Sequence, residues 1–299
     1  MRCAMRSMSA NSWETMMQAE RLSFEDITVT YSPHSNPVSA VRNVSLSVEV
    51  GHTLGIVGES GSGKSTMGLA AIHLLPKSAK ITGRLMLNDE DLLRVPEKRM
   101  RAIRGRKIGL IFQDSLASLN PVFSIRSQFV QTIRQHDPEI SGSEAARRAG
   151  DALEELDIPR DRLNAFPHEL SGGMRQRIMI AMALAPKPSF VVADESTSDL
   201  DTISQRRILD LLLRVQKSRG LGLIIVSHDL GVVHHACEKV AVLYRGDLVE
   251  YGYTRQVLEQ PQHEYTRGLV KVSRKQRTET GLLYTLPSRA AATAMKDHV

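Results

Sequence analysis

The sequence predicts an α/β protein: a sheet of short buried strands, a smaller sheet ahead of it, and a helical insertion in mid-chain. Three observations carry that prediction. The stretches 54–57, 107–113, 190–195 and 223–227 are short apolar runs, three of them followed at once by polar or charged residues, as expected where an open α/β sheet brings side chains to its carboxyl edge. Phe24, Ile27, Val29 and Tyr31, then Val41, Val44, Leu46, Val48 and Val50, follow a strand-like pattern on either side of the turn-rich stretch 32–37. Between the apolar runs, Ala145, Ala149, Ala152, Leu153 and Leu156 recur at helical spacing.

Composition sets the limits. A chain of 299 residues with 41% hydrophobic residues can fill one large core or two small ones. The formal charge of +6 is scattered, with much of the excess in both tails, so it argues only weakly for nucleic acid, and none is expected as a partner. No run approaches the roughly 18 apolar residues that span a bilayer, and the Met-rich start lacks the apolar core of a signal peptide, so a soluble chain is expected. Cys3 and Cys237 are too few for a disulfide framework and suit a reducing compartment. Residues 1–20 read as a disordered lead.

The most informative stretch follows the strand at 54–57. In Gly58-Glu59-Ser60-Gly61-Ser62-Gly63-Lys64-Ser65-Thr66 a glycine-rich loop passes into a helix-forming stretch that runs to Leu75 before Pro76. This is the P-loop pattern: backbone N–H groups and the positive helix end receive phosphate oxygens, Lys64 reaches the β- and γ-phosphates, and the Ser65 hydroxyl can ligate Mg²⁺. Tyr31 reads equally as a half-buried strand aromatic or as a stacking platform for a nucleobase.

Further along, 81–87 reads as a strand and 98–107 as a solvated basic face. Gln113, at the end of the strand at 107–113, is placed to touch Mg²⁺ or its water. The region 122–160 reads as helical, with Ser141-x-x-Glu144 as a capping box. In Pro167-His-Glu-Leu-Ser-Gly-Gly-Met-Arg-Gln-Arg177, Ser171 is the expected N-cap of a helix carrying Met174, Ile178, Ala181, Met182 and Ala185, and Ser171, Gly172 and Gly173 make a second anion site. Asp194 and Glu195 end an apolar strand, where two carboxylates need a metal or a nucleophilic water nearby; Asp194 is assigned to Mg²⁺ and Glu195 to the base. A helix at 203–219 bears Ile208, Leu211, Leu212 and Val215 and stops at Gly220. His228, just past the strand at 223–227, is placed to bond a γ-phosphate or the attacking water. His234, His235 and Cys237 share one helix and read as a surface face rather than a metal site.

Together these segments resemble the nucleotide-binding subunits of ABC transporters, in particular the ATPases of peptide, nickel or metallophore importers. The residues that carry the resemblance are 58–66, Ile111-Phe-Gln-Asp114 with Ser118-Leu-Asn-Pro121, 167–177, Asp194-Glu195, Leu200-Asp201 and Ser227-His-Asp-Leu230, over about 22–270. The resemblance implies a RecA-like P-loop NTPase core with an antiparallel β subdomain and an α-helical insertion at about 115–186, within a cassette at 21–270 followed by a poorly ordered extension at 271–299. It makes Tyr31 the adenine-stacking aromatic, Gln113 the sensor of the membrane subunit, Ser171 to Met174 the signature, His228 the switch histidine and Asp201 a nucleotide contact.

By the same resemblance, ATP and Mg²⁺ are the ligands, and the partners are two permease subunits, a second ABC ATPase and an extracytoplasmic solute-binding protein, at the cytoplasmic face of the membrane. The sequence departs from the family at Ser115 and Ser196, where proline is usual, at Asp199, where alanine is usual, and at Glu264, where His263-Glu-Tyr-Thr266 replaces His-Pro-Tyr-Thr. Residues 267–299 lack the cysteines with which many peptide-importer ATPases bind an iron–sulfur cluster. A soluble ABC-type ATPase acting on DNA or ribosomes is the alternative; a single cassette with a short insertion favours transport.

Overall fold

The computed structural model describes residues 19–32, 36–112, 118–194 and 202–274. Its strands are β1 (Arg21–Tyr31), β2 (Val38–Glu49), β3 (Thr53–Val57), β4 (Ala79–Leu87), β5 (Glu90–Asp91), β6 (Ile108–Ile111), β7 (Phe190–Asp194), β8 (Gly222–Ser227), β9 (Lys239–Tyr244) and β10 (Asp247–Tyr253). They form one curled sheet in the order β5-β4-β1-β2-β10-β9-β3-β8-β7-β6.

The first part is antiparallel, with β1 between β2 and β4. Phe24, Ile27 and Val29 are all buried although 24 and 27 are three apart. The strand bulges between them, with Asp26 at φ 52, and the extra residue restores the inward face. The second part is parallel from β9 through β3, β8 and β7 to β6. A parallel sheet is covered on both faces, and here each strand feeds two cores: Leu223 and Ile225 point into one, Ile224 and Val226 into the other. The two parts meet where Arg42 grips Asp247 with two hydrogen bonds of 2.8 and 2.5 Å.

The helices are α1 (Lys64–Ala71), α2 (Glu97–Ile103), α3 (Ile125–His136), α4 (Gly142–Glu155), α5 (Gly172–Leu184), α6 (Thr202–Arg219), α7 (Leu230–Ala236), α8 (Thr254–Glu259) and α9 (Glu264–Ser273). Helices α3, α4 and α5 bury Phe129, Ala145, Ala149, Leu153, Ile178 and Ala181 in the core beneath β6 and β7, which is the helical insertion. On α6, Ile208, Leu212 and Val215 are buried and Leu211 packs beside them, and Gly220 at φ 63 follows its last turn.

Three local expectations are corrected. Helix α1 stops at Ala71, four residues before the expected end. The Leu74 and His73 N–H groups bond back to Leu69 O and Ala70 O at 2.9 Å each, with His73 at φ 51: a Schellman ending with a histidine where glycine is usual. The Ile72 and His73 carbonyls accept from the Arg104 guanidinium at 2.8 and 2.9 Å. The basic run is therefore more than a solvated face, since Met100 and Ile103 of α2 are also buried. The capping box at 141–144 is half formed: Ser141 Oγ accepts from the Glu144 N–H at 3.2 Å, but the Glu144 carboxylate is taken by Arg147 at 2.7 Å.

Candidate functional site

Strand β3 lies inside the parallel sheet, and its last residue, Val57, is level with Ser227 of β8, while Asp194 of β7 is level with Val226. The loop leaving β3 therefore starts beside the ends of β7 and β8, and Asp194 and His228 reach the same edge. His228 is exposed and Asp194 partly so.

The loop is wedged between backbones. A Cβ on Gly58 would fall 2.2 Å from Leu243 O and 2.5 Å from Ser62 Oγ, so no side chain fits there. Gly63, the N-cap of α1, is at φ 101 and its Cβ would fall 2.4 Å from Ala40 O. With glycine as N-cap, no N-cap side chain bonds the amides that open α1, and that positive helix end can receive an anion. Glu59, Ser60 and Gly61 are exposed on the outer side, whereas Ser62 and Lys64 are only 3% and 4% exposed. Lys64 Nζ donates to Glu59 O at 2.8 Å, and the Ser62 hydroxyl has no hydrogen-bond partner among the described residues.

Two side-chain pairs flank the loop. Ser65 Oγ donates to Asp194 Oδ1 at 3.1 Å, setting a hydroxyl and a carboxylate oxygen together as hard donors of the kind Mg²⁺ takes. Tyr31 is half-buried, and its hydroxyl lies 3.2 Å from Thr66 Oγ1. That bond holds the ring beside the start of α1 and leaves both sequence readings of Tyr31 standing. Gln113, Glu195 and Asp201, together with the departures Ser115, Ser196 and Asp199, lie outside the described residues.

The second glycine-flanked helix end differs in kind. Ser171 caps α5, its Oγ accepting from the Met174 N–H at 3.3 Å. Ser171 and Gly172 are exposed, and a Cβ on Gly173 would meet nothing within 4 Å. The chain leading in is fixed by Arg175, which donates to Leu170 O at 2.6 Å.

On α7, His234 is exposed and His235 is tied to a neighbouring helix. His235 Nε2 lies 2.6 Å from Asp210 Oδ1, and burial pushes the Cys237 thiol well above its ordinary range. Among the described residues no group of three or more His, Cys, Asp or Glu side chains is arranged to hold a metal. One contact was not legible in the sequence: the Glu59 N–H donates to the hydroxyl of Tyr265, 206 residues away, at 2.9 Å. A cavity of about 190 Å³ lies between the sheet edge and the insertion, lined by Leu74, Arg104, Phe112, His136, Met182 and Pro186 among others. Phe112 is 48% exposed there, and Val122 and Phe123 are exposed at 75% and 50%.

Residues 41–198, over half of the chain, match the family model described as ABC transporter. The chain belongs to the ABC transporter family. It is an ABC importer ATPase, and ATP is its substrate. It is 40% identical over 277 residues to the oligopeptide transport ATP-binding protein OppD of Lactococcus lactis subsp. cremoris, covering 91% of this chain and 81% of that protein. It is 41% identical over 253 residues to the dipeptide transport ATP-binding protein DppD of Bacillus subtilis, covering 83% and 75%. Among solved structures, the dimeric post-hydrolysis cassette MJ0796 bound to ADP and Pi superposes with a TM-score of 0.69 at 29% identity, covering 78% of this chain and 99% of that one. The RecA-like core, the antiparallel subdomain and the helical insertion of this ATPase are thus the architecture of its family. Among the described residues, no helix is long and apolar enough to cross a membrane.

Proposed function

We propose that this ATPase binds Mg²⁺–ATP in the 58–66 cradle and completes the site with the Ser171-Gly172-Gly173 helix end of a second ABC ATPase, a copy of itself or a paralogue. Closing that pair drives peptide uptake through two permease subunits, at the cytoplasmic face of the membrane, with an extracytoplasmic solute-binding protein delivering the cargo. The observation that supports this most is the contrast between a buried, glycine-capped helix end carrying Lys64 and a second, exposed helix end without a lysine. Each offers amides to an anion; only together do they surround one.

Within the site, Lys64 exchanges Glu59 O for the β- and γ-phosphates, and the amides opening α1 hold the same groups. Ser65, Asp194 and Gln113 would hold Mg²⁺, which when bound would neutralise charge building on the phosphate oxygens. Tyr31 stacks on adenine and Asp201 contacts the nucleotide. Glu195 takes the proton of the attacking water, and His228 bonds the γ-phosphate or that water. The cavity, with the exposed Phe112 in its lining, suits a permease's cytoplasmic helix, since an exposed apolar side chain at a groove is the kind of feature that marks a protein contact.

Relatives at about 40% identity carry peptide-transport names, which supports peptides as cargo and weighs against an ATPase acting on DNA or ribosomes. The test is uptake of labelled di- and oligopeptides by cells lacking this ATPase and complemented with it. Restored peptide uptake is expected with the wild type and none with Lys64→Ala. Restored nickel uptake without peptide uptake would overturn the cargo assignment.

A further inference from the structure

The motif His263-Glu-Tyr-Thr266 has no part in the site as proposed, yet it opens α9 against the phosphate loop. Its position is fixed from β10: the Glu250 carboxylate accepts the Gln262 and His263 N–H groups at 2.9 and 3.1 Å, and His263 Nδ1 accepts the Tyr265 N–H at 3.1 Å. The Tyr265 ring then stacks on Tyr244, the last residue of β9, with centroids 4.1 Å apart and planes 26° from parallel. Arg245 covers the Tyr244 ring at 5.1 Å. Tyr265 is 8% exposed, and burial pushes its hydroxyl up to about 12, so it stays neutral at physiological pH.

That hydroxyl meets the loop at Glu59, whose backbone is held on both sides of its Cα. The N–H donates to Tyr265 Oη at 2.9 Å, and the carbonyl accepts from Lys64 Nζ at 2.8 Å and from the Ser62 N–H at 3.1 Å. The same bracket touches the loop again where the Gly246 N–H donates to Ser62 O at 3.1 Å. With its N–H turned toward α9, Glu59 contributes no amide to the cradle; it is the outer post against which the cradle is set.

We infer that Tyr265 is a positioning residue for the phosphate loop, fixing the Glu59 backbone so that Lys64 and the amides of α1 are preset for a polyphosphate. The inference rests on the 58–66 stretch being the phosphate cradle. A loop preset by α9 binds without paying to order itself first, and the replacement of proline by Glu264 leaves the arrangement intact because His263 and Glu250 fix the helix start.

The test uses Tyr265→Phe, which keeps the stack on Tyr244 and removes only the oxygen. Affinities of the isolated subunit for Mg²⁺–ATP and for inorganic tripolyphosphate are measured by displacement of a fluorescent nucleotide, with Lys64→Ala as control. Loss of one neutral hydrogen bond is expected to weaken both ligands by about three- to tenfold, with the unfolding midpoint unchanged. In the assembled transporter KM for ATP rises while kcat holds. Exchange of the Glu59 amide with solvent, read by NMR, accelerates in the variant, which a role in packing alone would not produce. Wild-type affinity for tripolyphosphate together with an unchanged Glu59 exchange rate would overturn the inference. If Lys64→Ala abolishes polyphosphate binding while Tyr265→Phe leaves it untouched, the cradle stands and only the positioning role falls. If Lys64→Ala binds normally, both fall.

Discussion

Helix α1 follows a glycine and helix α5 opens with two, yet their N-caps differ: Gly63 for the first and Ser171 for the second. Helix α1 has Gly63 as its N-cap, in a buried, left-handed turn where a Cβ would fall 2.4 Å from Ala40 O, and that residue has no side chain with which to cap the amides. Helix α5 starts at Ser171, exposed, with its own hydroxyl bonded to the Met174 N–H. The first has no side-chain bond from its own N-cap and is open to an anion; the second carries a cap of its own. A buried helix end left uncapped is costly unless a ligand completes it, whereas a capped one can wait in water for a partner. This is the physical reason for assigning tight binding to the cradle and closure to the signature.

Substitutions at the two helix ends and around the nucleotide should differ in size of effect. The largest effect is expected from Glu195→Gln, which keeps size and hydrogen bonding but cannot accept a proton: hydrolysis should fall about 10²- to 10⁴-fold while ATP still binds, as single-turnover phosphate release would report. Lys64→Ala should weaken ATP binding by the isolated chain about 10- to 100-fold by loss of charge-assisted hydrogen bonds, read by calorimetry; an unchanged affinity would remove the distinction between the two helix ends. Tyr31→Ala should weaken ATP by about 1–3 kcal/mol if the ring stacks on adenine, and Tyr31→Trp by much less. Equal affinities would return Tyr31 to a purely structural position beside Thr66. The smallest effect belongs to Ser171→Ala, which removes a cap worth about 1 kcal/mol of stability and should leave nucleotide binding by the isolated chain unchanged; a thermal melt shows the first and a titration the second.

Much of this was legible in the sequence where a local rule decides the structure. Ser171 ahead of two glycines caps its helix as expected, and Ala145, Ala149, Ala152, Leu153 and Leu156 all face the core. The chain was less legible where a distant group decides. Nothing near Ala71 announces a helix end, because the residue in the left-handed turn is His73 and the donor to the last carbonyls is Arg104, some thirty residues on. Ser141 and Glu144 satisfy the capping-box pattern, yet Arg147 offers the carboxylate a charged partner that a neutral backbone N–H cannot match. Tyr265 was invisible as a site residue for the same reason: its motif could be read, but not its contact with Glu59 across 206 residues.

If cradle and signature act in one site but belong to two chains, Ser171→Arg separates their contributions. Bulk and charge at the exposed start of α5 leave the buried cradle untouched. The isolated variant should therefore bind Mg²⁺–ATP with wild-type affinity, while ATP turnover in the assembled importer falls at least about tenfold, as loss of one preorganised anion contact implies. If Ser171→Arg weakens ATP binding by the isolated chain as Lys64→Ala does, or turns over normally in the importer, the two helix ends are not halves of a shared site.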